Sequence, residues 1–169
     1  SIALNLRQWF DKDSGAEYLY MTKETPFQPS LRPMVVNNEL KRIEGVSELS
    51  FRILDPLVTT LPTMNQYNVN TVDKKVLSAL ASGLDIQVIE SIIANREDAP
   101  YTSISDMYNR NGLKSTEQKL FPADHFKVTS EFFRINCMVT LSDNLYYLSS
   151  LVHRSTDNTI KVLSRSFSP

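Results

Sequence analysis

The stretch "YNVNTVDKKVLSAL", Tyr67 to Leu80, changes period at its midpoint. Asn68, Val69 and Asn70 alternate polar with apolar, as an extended chain does. From Val72 the apolar residues fall at Val72, Val76, Leu77, Leu80 and Ala81, the spacing of one helix face. Thr71 stands at the change and is expected to cap the helix, with Asn68 and Asn70 tying down backbone at the junction. Such a passage from Asn-Val-Asn-Thr into a helix also leads into DNA-binding helical hairpins. The surrounding chain must therefore say whether the shape comes with a phosphate site.

Working outward, helical spacing dominates the first 120 or so residues. A first helix is expected over Leu4 to Phe10, burying Leu6, Trp9 and Phe10. After the acidic "DKDSGAEY", the prolines Pro26, Pro29 and Pro33 exclude any long regular element. Asn37 or Asn38 is expected to cap "ELKRIE", which stops at Gly45. Ser47 is expected to cap "ELSFRILDPLV", whose Leu49, Ile53, Leu54, Leu57 and Val58 share a face, with Pro56 kinking it or marking a tight last turn. A helix "IQVIESIIANRE" follows Gly83, and Ser103 caps a shorter one closed by Gly112. "EGVSELSFRIL" (44–54) and "SGLDIQVIESI" (82–92) align on Gly45 and Gly83, a weak internal repeat of helix, glycine turn and helix.

Beyond His125 the period becomes two. "HFKVTS", "EFFRINCMVTL", "LYYLSSLVHR" and "TIKVLSRSF" read as strands. In the second, Phe133, Ile135, Cys137, Val139 and Leu141 form one apolar face, and Cys137 is expected to be buried there. The loops 142–144 and 155–158 both carry Asp-Asn, which tolerates the positive φ of tight hairpins. The expected fold is α+β. A helical domain, 1–124, carries two helix-hairpin-helix-like (SAM-like) units and an acidic, proline-rich N-terminal segment, and an antiparallel meander fills 125–169.

Composition excludes several classes of function. Net charge is −1 and 41% of residues are hydrophobic, so neither a general polyanion binder nor a disordered tail is expected. The longest apolar run, Phe132 to Leu141, is too short to span a bilayer and contains Arg134. One cysteine excludes an intrachain disulfide and leaves the redox compartment open. The opening "SIALNLRQWF" has no Met, basic n-region or apolar h-region, as expected of an ectodomain or a trimmed fragment.

Catalysis finds little support. The two histidines, His125 and His153, sit at strand ends, no metal-spaced His pair occurs, and four glycines form no phosphate-cradling loop. A non-enzyme is expected. Asp11, Asp13 and Glu17, around Ser14 and Gly15, place three carboxylates within seven residues. Clustered oxygens of this kind bind hard cations such as calcium, although the spacing is not that of an EF-hand; a solvated turn with Asp capping explains them as well. In the two hairpins, Gly45-Val46-Ser47 and Gly83-Leu84-Asp85 lack the second glycine of nucleic-acid-binding turns. Asp85 would also set a carboxylate where a phosphate oxygen should lie. Lys74 and Lys75 alone do not make a basic face.

Five stretches in order, "LRQWFDKDSGAEYLY", "PFQPSLRPMVVNNELKRIEGVS", "ILDPLVTTLP", "YNVNTVDKKVLSAL" and "FKVTSEFFRINCMVTL", resemble the ectodomain of K-type minor pseudopilins of the type II secretion system, the GspK family. Trp9, Asp11, Asp13, Glu39, Leu40, Gly45, Leu54, Pro56, Leu61, Pro62 and Asn68 to Thr71 stand at matching positions, while Val72 replaces the usual Ala. The resemblance implies a helical domain inserted into a pilin-like α/β fold and a place at the tip of the periplasmic pseudopilus. It implies I- and J-type minor pseudopilins as partners and an inner-membrane anchor formed by an N-terminal helix that is not in this sequence. It also implies calcium bound through acidic residues, for which Asp11, Asp13 and Glu17 are the candidates. The rival reading is a competence-type DNA receptor, whose family keeps both turn glycines and a basic face.

Overall fold

The computed structural model describes residues 1–62 and 66–168. The chain divides into two units, Ser1–Asn65 and Gln66–Pro169. The division expected at 124 and 125 follows the change from helix to strand, which falls inside the second unit.

In the first unit, helix α1 (Ile2–Phe10) begins where the Ser1 hydroxyl accepts from the Leu4 N–H. Helix α2 (Ala16–Met21) follows Gly15, whose φ of 67° lets the chain reverse without a Cβ clash. The two helices bury Trp9 and Tyr20, whose rings meet edge to face at 5.2 Å, with Phe27 tilted against both. Such aromatic pairs add about 0.5–1.5 kcal/mol beyond the area they bury. Leu40, Ile43 and Phe51 complete this core. Phe10, expected inside, is 40% exposed, because the helix ends on it and Trp9 already occupies the inward position.

Asn37–Arg42 is a 3₁₀ helix rather than an α-helix, and neither Asn37 nor Asn38 caps it. The Glu39 carboxylate does so, accepting from the Val35 and Val36 N–H groups at 2.7 and 3.3 Å. Asn37 lies inside the element and donates instead to Asp55 and to the Val58 carbonyl. Helix α3 (Glu48–Leu54) is capped by Ser47 as expected, and Pro56 sits in the tight 3₁₀ turn Asp55–Leu57 that ends it. The expected buried face is wrong: Leu49 is 70% and Ile53 57% exposed, and Phe51 is the residue turned inward. Phe51 lies about 200° around the helix from each of them, so burying it turns their stripe away from the Trp9 core.

The second unit opens with strand β1 (Tyr67–Asn68), paired in parallel with β2 (Phe126–Lys127). Between them run α4 (Lys74–Leu80), α5 (Ile86–Asp98), α6 (Ile104–Arg110) and α7 (Ser115–Leu120), the last not anticipated from sequence. The apolar stripe read from Val72 to Ala81 does face inward. It packs with Ile89, Ile92, Tyr101, Met107, Leu113, Phe121 and Phe126. Thr71 is exposed and is not the cap; Asp73 is, accepting from the Lys75 N–H at 2.7 Å. The N–H groups of Thr71 and Val72 are instead taken by the Asn68 carbonyl, so the turn closes before the helix begins.

Strands β3 (Phe132–Leu141), β4 (Asn144–Arg154) and β5 (Ile160–Ser168) form an antiparallel meander in the order β3-β4-β5. Ser142 and Asp143 take φ of 48° and 66° in the first hairpin, and Asn158 takes 64° in the second, as the Asp-Asn loops imply. The chain is thus α+β, mixed helix and antiparallel sheet, as expected. Of the two expected hairpin units, both keep the positive-φ glycine and the capped second helix. The first has a 3₁₀ arm in place of its leading α-helix.

Candidate functional site

Val69 is fully buried between two asparagines that organise the junction. The Asn68 Oδ1 accepts from the Asn70 N–H at 3.0 Å, while its Nδ2 donates to the Ser130 Oγ at 2.9 Å. Asn70 Nδ2 donates to the carbonyls of Tyr101 and Val128, and its Oδ1 accepts from the Tyr101 N–H at 2.8 Å. Both asparagines therefore hold backbone. Sequence inspection missed Arg96, whose guanidinium donates to the Val69 and Val72 carbonyls from α5. Nothing in the periodicity of α5 distinguishes that arginine from a solvated one.

The two glycine turns hold no phosphate site. In the first, the Ser47 hydroxyl accepts from the Ser50 N–H; in the second, the Asp85 carboxylate accepts from the Gln87 N–H at 2.8 Å. The caps thus place a protein oxygen where an anion would have to bind. Lys74 is paired with Glu90 at 2.6 Å. Gly83 is at φ 106°, a backbone conformation that side-chain-bearing residues rarely adopt, so the turn itself requires glycine there.

Asp11, Asp13 and Glu17 are all exposed. Asp11 Oδ1 accepts from the Asp13 N–H, and the Ser14 hydroxyl donates to the carbonyls of Asp11 and Gln8, an ordinary tight turn leading into α2. Among the described residues no three His, Cys, Asp or Glu side chains are grouped to hold a metal, so these three do not fit a ready calcium site. His125 ends a 3₁₀ turn, Ala123–His125, and His153 stands on β4 beside Phe132, 3.9 Å from Glu131. Burial pushes the hydroxyls of Tyr101 and Tyr108 up from the usual tyrosine range, and each donates to a backbone carbonyl.

One face of the meander exposes a run of apolar side chains. The register sets Phe133, Ile135, Cys137 and Val139 opposite Val152, Ser150, Leu148 and Tyr146, with Phe167 beyond Leu148 on β5. Cys137, expected to be buried, is exposed, and Ile135, Val139 and Leu141 are each more than half exposed. An apolar strand face is buried only when another layer packs on it; Val152 and Ser150, at the Phe133 end, are buried, whereas Ile135, Val139 and Leu141 toward the hairpin are exposed. Cys137, Val139, Leu141, Tyr146, Leu148 and Phe167 line a shallow groove of about 380 Å³.

Comparisons with known proteins agree with this architecture. Family models described as "Type II secretion system (T2SS), protein K" match residues 1–63 and 67–129. Curated relatives called type II secretion system protein K include one from Dickeya chrysanthemi, 27% identical over 96% of this chain and 47% of its own length. Another, from Pseudomonas aeruginosa, is 28% identical over 95% of this chain and 49% of its own length. The chain spans about half the length of the curated relatives it matches. The fold is also that of a chain in the crystal structure of the GspK-GspI-GspJ complex from the enterotoxigenic Escherichia coli type 2 secretion system. That match has a TM-score of 0.78 and 19% identity, covering 99% of this chain and 62% of the other. A capped helical lobe leading into this meander is the architecture of a type II secretion system component. The chain belongs to the protein K family of that system.

Proposed function

We propose that this chain is the helical lobe and part of the pilin-like sheet of a minor pseudopilin that starts and caps the pseudopilus, acting by assembly and not by catalysis. The observation that carries this reading is family membership over both units, 1–63 and 67–129, combined with the bare apolar face of β3–β5. Uncovered apolar area of this extent is what a subunit contact would use. Partners are proposed to be the I- and J-type pseudopilins, as in the complex whose fold this chain shares. The site of action is proposed to be the periplasmic side of the cell envelope, with an anchoring helix outside this sequence. Among the described residues no helix is long and apolar enough to cross a membrane.

Co-expression with the I- and J-type subunits tests the proposal. A three-component complex on size exclusion is the expected outcome, and a chain that stays monomeric with both present would sink it. This assembly role does not require calcium, and among the described residues Asp11, Asp13 and Glu17 are not grouped as ligands. The competence-type alternative has no support, since capping carboxylates and hydroxyls occupy the turns where phosphate would bind.

A further inference from the structure

Within the second unit, a short linker, residues 128–131, joins lobe to sheet. The lobe's apolar core runs from Val69 to Phe126, with Val128 against its edge, and takes in no residue of β3, β4 or β5. The linker is instead gripped by polar groups from both sides. From the lobe, Asn70 Nδ2 donates to the Val128 carbonyl at 3.1 Å and Asn68 Nδ2 to the Ser130 Oγ at 2.9 Å. From the sheet, Arg154 Nη2 donates to the Ser130 carbonyl at 3.0 Å, and the Arg154 N–H to the Glu131 carbonyl at 2.7 Å. Lys127, at the end of β2, pairs across the linker with Glu131 at 2.6 Å.

Hydrogen bonds are directional, and each contributes little net free energy. A joint made of several is stiff when all are present and yields when a few are removed, without exposing a core. We propose that Ser130, held by Asn68 and Arg154, is the centre of a clasp that fixes the sheet's orientation on the helical lobe. Opening the clasp frees the sheet to swing as a body while both parts stay folded. On this view the Asn-Val-Asn-Thr stretch has a second duty: Asn68 shapes the turn with its oxygen and holds the sheet's tether with its nitrogen. The inference does not depend on the partners proposed above.

The test uses the full chain. Cys137 is its single cysteine and is exposed on the sheet, so it takes one spin label; Lys75→Cys, exposed on α4, takes the other. Ser130→Ala combined with Arg154→Met is expected to widen the label–label distance distribution by about twofold with unchanged far-ultraviolet circular dichroism. An unchanged width overturns the clasp, and so does a widening accompanied by lost secondary structure. The single variant Ser130→Ala removes only the Asn68 contact. It is expected to speed amide exchange within 128–131 by about two- to tenfold, the worth of one net hydrogen bond. Exchange there at the parent rate would equally refute it.

Discussion

Two residues two apart show how a cap is chosen. Thr71 has the right side chain, but its own N–H and that of Val72 are already taken by the Asn68 carbonyl, so helix α4 starts later, at Asp73. Asp73→Ala is expected to lower stability by about 1 kcal/mol, and Thr71→Ala to stay within about 0.5 kcal/mol of the parent. Urea midpoints with equal m-values would check both; a costly Thr71→Ala would return the cap to that residue. Asp11 spends one carboxylate oxygen on the Asp13 N–H, and Glu17 stands in the first turn of the next helix. A melting temperature indifferent to EDTA is therefore expected. A rise in millimolar calcium would show the loop closing on the ion, because a ligand held only by the native state must stabilise it.

At the scale of elements, the 3₁₀ helix Asn37–Arg42 depends on a side chain three residues in. The Val35 N–H, bound to Glu39 Oε1, is the chief cause holding the Glu39 carboxyl below its ordinary value of 4.5, with Val36, Arg32 and Arg42 assisting against partial burial. A depressed carboxylate stabilises the fold above its unfolded value and loses that contribution as pH falls through the folded one. The Glu39 contribution is thus present above about pH 4.5 and lost on further acidification. Glu39→Gln should be less stable than the parent at neutral pH, with the gap closing toward about pH 3. Denaturant titrations across that range would show it, and parallel acid limbs in the two proteins would remove Glu39 from the account. Two helix starts were legible, because Ser47 and Ser103 are capping residues ahead of apolar periods, whereas the caps expected at Asn37 or Asn38 and at Thr71 lie elsewhere. Helix α7 was not, since Ser115–Leu120 shows only one apolar residue in six and no stripe.

For the whole molecule, the balance between a secretion subunit and a nucleic-acid receptor turns on charge and on the turns. Net charge is −1, Lys74 is paired, and the turns are closed by their own caps. No measurable duplex-DNA binding is expected at physiological salt. Submicromolar binding that weakens steeply with salt, and is lost in Lys74→Glu, would reverse the assignment.

Sequence alone determined the α+β class, the alternation of β3, the Val72-to-Ala81 stripe and the family. All of these depend on local period and ordered motifs, which need no knowledge of what packs on what. Tertiary structure decided the rest. Only there does Phe51 turn inward in place of Leu49 and Ile53, because the Trp9–Tyr20 core selects one side of α3. Only there is Cys137 exposed, because an apolar face is buried by a partner layer and not by its own pattern. The clasp on Ser130 likewise joins Asn68, Ser130 and Arg154, residues far apart in the chain that only the folded backbone brings within hydrogen-bond reach.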